Sequence, residues 1–118
     1  MILSINRGII MDEGVIYSLG IWSVKTGKED DFLKNWKDFA NWTIQNQKGA
    51  RSVIMLQDSE QKNRYISLGP WDNAESLQEW RKTPEFKDAF VKFKELCNEI
   101  EPHTMVKVVD MSPEPVQK

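Results

Sequence analysis

The order of apolar patterns along the chain limits its fold more than any other feature of the sequence. Residues 28–47 carry their apolar side chains on one face at helical spacing, which predicts a helix. Four segments rich in β-branched and aromatic residues predict strands: 15–24, 51–57, 64–71 and 104–110. The second and third of these flank a polar turn, so they are expected to form a hairpin.

A second helix, split in two, is predicted between the last two strands. Asp72 begins its first half, with Glu75 three residues later as in a capping box. Thr83-Pro84 begins the second half, since Pro is favoured at the first helical position. Apolar residues from Phe86 to Ile100 then recur at helical spacing, and Pro102 ends the helix. The whole order predicts an α+β fold of the ferredoxin-like βαββαβ type.

The predicted strands are apolar on both faces. In the first strand Leu19 and Ile21 point to one side of the sheet, and Trp22 and Val24 point to the other. Residues 53–56 are apolar at every position. Helices on one face of a sheet leave the second face uncovered, so we expect a second copy of the chain there. The sequence therefore predicts a homodimer with its sheets packed face to face.

Length and composition indicate one globular domain. The chain has 118 residues, 40% of them hydrophobic and 29% charged, and single domains usually contain ~100–150 residues. One Cys and one His argue against a disulfide framework, a zinc cluster and a His-rich metal site. We expect the domain to span 15–110, after an N-terminal arm or extra strand at 1–14 and before a tail at 111–118.

Charge and hydropathy argue against two classes of partner. The net charge of −2 favours neither nucleic acid nor an anionic membrane surface. No segment has the ~20 apolar residues of a membrane span. The apolar start of the chain is interrupted by Asn6 and Arg7 and does not resemble a signal peptide. The expected location is the cytoplasm.

Five Trp residues in so short a chain predict an aromatic pocket. Strand alternation can turn several large side chains toward the helices, where the split helix would close over them and Gly69 would leave space in the floor. The candidates for the pocket lining are Trp22, Tyr65, Ser67, Trp71, Trp80, Arg81 and Phe90. Core packing without a void is the alternative. Trp36 is expected in the core, and Trp42 at the surface, an interface or the pocket rim.

No motif identifies catalytic residues. His103 has no Ser or Cys partner by motif, and we expect it at the surface or in a loop. Cys97 lies on the apolar stripe of the second helix, which predicts a buried, unreactive thiol. The catalytic residues are therefore unknown at this stage, and no metal ligands are predicted.

Two motifs connect the chain to a known family. Residues 24–32, VKTGKEDDF, resemble the strand–Gly–helix entry of the antibiotic biosynthesis monooxygenase domain family. Residues 68–76, LGPWDNAES, followed by 80–86, WRKTPEF, resemble its second signature. The resemblance covers roughly residues 15–110. It implies a dimeric α+β barrel of ferredoxin-like subunits, and the family includes cofactor-independent quinone-forming oxygenases and haem-degrading enzymes.

The residues of the haem-degrading members are largely absent. Trp80 matches their pocket Trp, but Phe90 stands where their iron-ligating His is expected and Gly20 where they carry an Asn. Because Phe offers iron no lone pair, the resemblance implies no haem and no other cofactor.

The quinone-forming members match at Trp71, whereas Ser67 and Leu77 stand at their Asn and Tyr. Their chemistry needs few protein groups, because an ionised phenol itself passes an electron to dioxygen inside a dry pocket. Tyr65, Ser67 and Arg81 are candidate hydrogen-bond partners for such a phenolate. The resemblance thus implies a cofactor-independent monooxygenase for a small aromatic or polycyclic substrate. The alternative is a non-catalytic homodimer that binds a small ligand or serves as an assembly domain.

Overall fold

The computed structural model describes residues 14–113, which form a four-stranded sheet and three helices. The strands are β1 (Ile16–Val24), β2 (Ile54–Gln57), β3 (Arg64–Trp71) and β4 (Cys97–Val106). The helices are α1 (Glu29–Asn46), α2 (Ala74–Arg81) and α3 (Pro84–Leu96). The sheet order is β2–β3–β1–β4, and all neighbouring strands are antiparallel. The predicted α+β class and the ferredoxin-like order with a split second helix are confirmed.

Two glycines in the left-handed region set the ends of α1. Gly27 has a φ of +89°, and its N–H donates to the Glu29 carboxylate at 2.9 Å. Gly49 has a φ of +95°, and a Cβ on it would lie 2.6 Å from the Cβ of Ser76. Both turns therefore require glycine, which is why the predicted helix begins and ends close to where the sequence places it.

The helices cover one face of the sheet and bury its aromatic side chains there. Trp22 of β1 and Tyr65 of β3 pack in one core cluster with Phe32 of α1 and Phe93 of α3. The ring centroids of Trp22 and Phe93 are 5.1 Å apart and meet edge to face. Burial of each such side chain stabilises the fold by ~1.5–3 kcal/mol. Within residues 14–113, no helix combines the length and hydropathy needed to cross a bilayer.

The opposite face of the sheet is apolar, and no element within residues 14–113 covers it. Cross-strand partners share a face, so the strand register defines the side chains that lie there. We call the apolar ones the open sheet face: Tyr17, Leu19, Ile21, Ile54, Leu56, Ile66, Leu68 and Met105. On β4 the same register also places Glu101 and His103 on this side. Ile54 is 51% exposed and Leu56 is 52% exposed. The strands are therefore apolar on both faces, as the sequence predicts.

The beginning of β4 differs from the prediction. The sequence predicts one helix up to Pro102, but α3 stops before Cys97, which begins β4. Pairing with β1 explains the difference, since Val24 pairs with Cys97 and Trp22 with Ile100. This ladder satisfies backbone groups of β1 that would otherwise need other partners. Pro102 is tolerated because β4 is an edge strand, where the missing N–H can face outward.

The end of β4 differs as well. The predicted strand 104–110 overlaps β4 only up to Val106. Beyond it, the N–H of Gly14 donates to the carbonyl of Lys107 at 2.9 Å. The predicted arm at 1–14 and tail at 111–118 lie mostly outside the described residues, which include only Gly14 and 111–113 of them.

The predicted capping box at the start of α2 is wrong. Asn73 is the N-cap, and its side chain accepts a hydrogen bond from the N–H of Ser76 at 2.8 Å. Asp72 instead accepts from Nε of Arg51 at 2.8 Å. This pair joins the segment before β2 to the start of α2, and both side chains are about half exposed.

Candidate functional site

A cavity lies between the helix-facing side of the sheet and the three helices. The volume of the cavity together with its open mouth is about 710 Å³. Its aromatic lining consists of Trp22, Trp36, Phe39, Trp71, Trp80, Phe86 and Phe90. These rings therefore enclose a void rather than filling it. Ligand pockets are commonly apolar clefts of this kind with a few polar groups.

Six of the seven side chains expected from the sequence border this cavity. They are Trp22, Ser67, Trp71, Trp80, Arg81 and Phe90. Trp36, expected in the core, borders it too, whereas Trp42 stacks on Phe39 with 6.1 Å between centroids.

Tyr65 does not border the cavity. It is 1% exposed, and its ring lies 5.3 Å from that of Phe32 in the core. Its hydroxyl accepts a hydrogen bond from Nε2 of Gln57 at 3.0 Å, and burial raises its pKa. Strand alternation correctly predicts the face on which Tyr65 lies, but not its position along β3 relative to the cavity.

Gly69 was expected to leave space in the cavity floor, but in the structure it makes room for the backbone of a neighbouring segment. A Cβ at Gly69 would lie 2.4 Å from the carbonyl oxygen of Ser52. Glycine thus lets the chain before β2 cross closely over β3, and it does not leave an empty floor. This crossing also explains why β2 begins at Ile54 rather than at 51.

Three tryptophans on the cavity wall each donate their indole N–H to a hydroxyl. The pairs are Trp22 with Ser67 at 3.0 Å, Trp71 with Ser18 at 3.2 Å, and Trp80 with Thr43 at 2.9 Å. A hydroxyl has one proton to donate, and within residues 14–113 no acceptor takes it from Ser18, Thr43 or Ser67. All three hydroxyls border the cavity. Each is therefore held as an acceptor by indole and can donate its proton to a ligand.

Sequence reasoning missed two of these hydroxyls. Ser18 is two residues from Gly20 on the helix-facing side of β1, so strand alternation alone would have found it. Thr43 lies seven residues after Trp36, on the face of α1 that packs toward the sheet. Both positions follow from local periodicity, but the predicted pocket was built on aromatic side chains, and neither Ser18 nor Thr43 is aromatic.

The junction between α2 and α3 forms the roof. The hydroxyl of Thr83 accepts from the N–H of Phe86 at 3.1 Å and donates to the carbonyl of Trp80 at 2.8 Å. The Trp80 ring lies 5.0 Å from Trp71 and 4.8 Å from Phe86, between centroids. Phe86 stacks on Phe90 at 4.3 Å. The cap at Thr83 thus fixes the spacing of the aromatic side chains in the roof.

Arg81 brings the one charge to the cavity wall. Its guanidinium donates from Nη1 to Oγ1 of Thr104 at 2.7 Å and from Nη2 to the carbonyl of His103 at 3.1 Å. Within residues 14–113 no carboxylate forms an ion pair with it. Burial lowers the pKa of Arg81, as expected for a cation removed from water without an opposite charge.

No other titratable side chain borders the cavity. Among residues 14–113, its wall contains no His, Cys, Asp, Glu or Lys, and no three His, Cys, Asp or Glu side chains come together there in a group that could hold a metal ion. Cys97 is buried in the core with its pKa raised by burial to about 11. His103 is exposed on β4, 3.6 Å from Glu101. The wall can stack, exclude water and donate hydrogen bonds, but it holds no general base.

These residues do not fit haem held by histidine. Phe90, at the position expected for the iron ligand, packs 5.7 Å from Trp22 between centroids. An axial ligand must offer a lone pair, and no side chain on this wall is one that commonly ligates haem iron.

Comparison with known proteins gives the same fold. The family model described as antibiotic biosynthesis monooxygenase matches residues 16–92. No curated protein shows a significant sequence match. Among solved structures, a conserved protein from Methanosarcina mazei Go1 is 22% identical with a TM-score of 0.74, over 81% of this chain and 95% of that one.

Two other solved structures are similar at lower identity. The cofactor-independent oxygenase SnoaB from Streptomyces nogalater is 13% identical with a TM-score of 0.71, over 89% of this chain and 99% of that one. A protein from Shewanella oneidensis is also 13% identical, with a TM-score of 0.75, over 86% and 99%. At such identities the likeness shows the fold. The family match spans well over half of the chain, and the chain belongs to the antibiotic biosynthesis monooxygenase family.

Proposed function

We propose that the chain is a cofactor-independent monooxygenase that acts on a small aromatic or polycyclic substrate as a homodimer. The observation that carries this proposal is the character of the cavity wall. It is aromatic, it holds three hydroxyls with protons to donate and one cation, and among residues 14–113 it has no His, Cys, Asp, Glu or Lys that could act as a general base or activate a hydroxyl as a nucleophile. Such a wall supports a reaction in which the substrate supplies the electrons itself. We expect the protein to act in the cytoplasm.

The reaction consistent with such a wall is oxidation of a ring methylene beside a phenol to a ketone. The substrate loses a proton to the solvent before the cavity takes it up, and it binds as an anion. It then passes one electron to dioxygen, giving a substrate radical and superoxide. The two combine in a carbon–oxygen bond, and the peroxide takes up a proton. Loss of water leaves the carbonyl, so one dioxygen is consumed and one water is released for each substrate.

The protein groups assist this sequence through charge and position. The hydroxyl of Ser67 can donate to the ionised oxygen of the substrate, and the charge of Arg81 favours an anion in the cavity, because hydrogen bonds to a charged group are the strong ones. Trp71 and Trp80 hold the ring in place, and a fixed orientation lowers the barrier for the encounter with dioxygen. The surrounding aromatic wall excludes water, which strengthens these interactions.

Ligand binding without catalysis is the second candidate function. The same absence of a general base favours it, since a binding site needs no proton acceptor. The two functions differ in one measurable property, the consumption of dioxygen.

The test is dioxygen uptake with a polycyclic phenol. We expect the full chain to accelerate dioxygen uptake by 1,8-dihydroxyanthrone above its spontaneous rate, with formation of the quinone. Trp71→Ala should reduce the accelerated rate about tenfold or more, because the substrate is no longer held in place. Trp42→Ala is the matched control, because Trp42 does not border the cavity, and we expect it to leave the rate unchanged. Binding of the probe without added dioxygen uptake would instead favour the second candidate.

A further inference from the structure

Arg81 has more hydrogen-bonding capacity than the protein uses. A guanidinium carries five N–H donors, and this one makes two hydrogen bonds, to Thr104 and to the carbonyl of His103. Both acceptors are neutral. Three N–H groups are left without an acceptor in the described chain.

The charge of Arg81 is also uncompensated. The chain has eighteen Asp and Glu residues, yet none within residues 14–113 forms an ion pair with this guanidinium. Partial burial of an unpaired charge costs free energy, and the lowered pKa of Arg81 reflects that cost. A cation kept under these conditions at a cavity wall is well placed for an anion that comes from outside the protein.

The guanidinium of Arg81 is held close to the strand that carries Ser18, a second polar residue of the cavity wall. Thr104, which holds the guanidinium, is the cross-strand partner of Ser18, and such partners have Cβ atoms ~4.5–5.5 Å apart. The hydroxyl of Ser18 is held by the indole of Trp71 and can donate its own proton. Arg81 is thus held by β4 next to the strand that carries Ser18, and both residues border the cavity. Trp22 and Phe90 line the apolar part of the wall.

We propose that the ligand of this cavity is a planar aromatic carboxylate. The carboxylate binds at Arg81 and Ser18, and the ring lies among the aromatic side chains. Two carboxylate oxygens match two parallel N–H groups of a guanidinium with one hydroxyl beside them, whereas a phenolate offers a single oxygen. A phosphate would bring about two charges to one cation. If the chain is the proposed oxygenase, this carboxylate is its substrate class. The binding of the carboxylate itself does not depend on that proposal.

Binding of two probes of equal shape tests the charge recognition. We expect the full chain to bind 2-naphthoate about tenfold or more tightly than 2-naphthamide, since a hydrogen bond to a charged group is worth that much. Both affinities can be measured by calorimetry or by the change in tryptophan fluorescence. Arg81→Met should reduce the affinity for 2-naphthoate to that for the amide and leave the amide unchanged. Arg81→Lys keeps the charge but loses the planar donors, so its affinity for 2-naphthoate should lie between those of the wild type and Arg81→Met.

The matched control is Arg64→Met, which removes an exposed arginine that lies beside Asp58, away from the cavity. It should leave both affinities unchanged. Ser18→Ala gives a second variant in case Arg81→Met does not fold, and should weaken 2-naphthoate alone. Equal affinity of the wild-type chain for the two probes, or equal losses for both in the variants, would overturn the inference. Because the readout is binding, a chain that discriminates 2-naphthoate from 2-naphthamide but does not accelerate dioxygen uptake by 1,8-dihydroxyanthrone would count against the oxygenase and leave this inference intact.

Discussion

At the scale of the residue, Ser67 shows how the cavity wall and stability are connected. Ser67 is 8% exposed as a residue and Trp22 is 4% exposed, and the Ser67 hydroxyl accepts a hydrogen bond from the indole N–H of Trp22. Ser67→Ala would leave that indole N–H without its partner, so we expect the free energy of unfolding to fall by about 1–2 kcal/mol. Ser23→Ala is the matched control: Ser23 also lies in the sheet and makes no side-chain hydrogen bond. Urea unfolding measures the free energy of unfolding of both variants. Similar decreases in the two would show that the hydrogen bond between Trp22 and Ser67 contributes nothing to stability.

Single residues also show what the sequence could predict and what it could not. Alternation along β3 correctly turns Tyr65, Ser67 and Trp71 to the helices, because that pattern follows from strand geometry alone. Which of them meets a void depends on the helices above, and Phe32 fills the space over Tyr65. Alternation also places Ser18 on that side of β1, but its partner, the indole of Trp71, is 53 residues away in sequence and could not be predicted from the local pattern.

At the scale of the element, the cap between α2 and α3 controls the roof. Thr83→Ala would remove both hydrogen bonds that join the end of α2 to the start of α3, and loss of an N-cap costs ~0.5–2 kcal/mol. We expect the thermal midpoint to fall and ligand binding to weaken, since Trp80 and Phe86 flank the cap. Thr83→Ser, which keeps the hydroxyl, should restore both properties. Thr26→Ala serves as a surface control, and a change as large as that of Thr83→Ala would contradict the assignment.

The elements were predictable where a local signal marks their ends. Thr83-Pro84 marks the start of α3, and Gly27 and Gly49 mark the ends of α1, each through its own backbone chemistry. The end of α3 has no such mark, because Cys97 continues its apolar spacing. Only pairing with β1, more than 70 residues earlier in the chain, determines that Cys97 begins a strand. The interaction is non-local, so the local pattern could not reveal it.

At the scale of the whole molecule, the open sheet face is an apolar surface that no element within residues 14–113 covers. Monomeric proteins seldom expose apolar patches that extend over a whole sheet. The patch runs across all four strands, from Leu56 on one edge strand to Met105 on the other. A second copy would bury it sheet against sheet, and two identical patches satisfy two-fold symmetry. This is the basis for the homodimer in the proposed function.

Leu68 lies at the centre of this face, since its cross-strand partners are Leu19 on one side and Ile54 on the other. We expect the wild-type chain to sediment at about 27.6 kDa at micromolar concentration, twice the 13.8 kDa of one chain. Leu68→Asp should sediment as the 13.8 kDa monomer, because dimer formation would bury an unpaired carboxylate at the middle of the interface. Val91→Asp places the same charge on α3, where the side chain is 61% exposed, and should leave the dimer intact. A wild-type chain that unfolds cooperatively as a monomer would show that its open sheet face needs no partner.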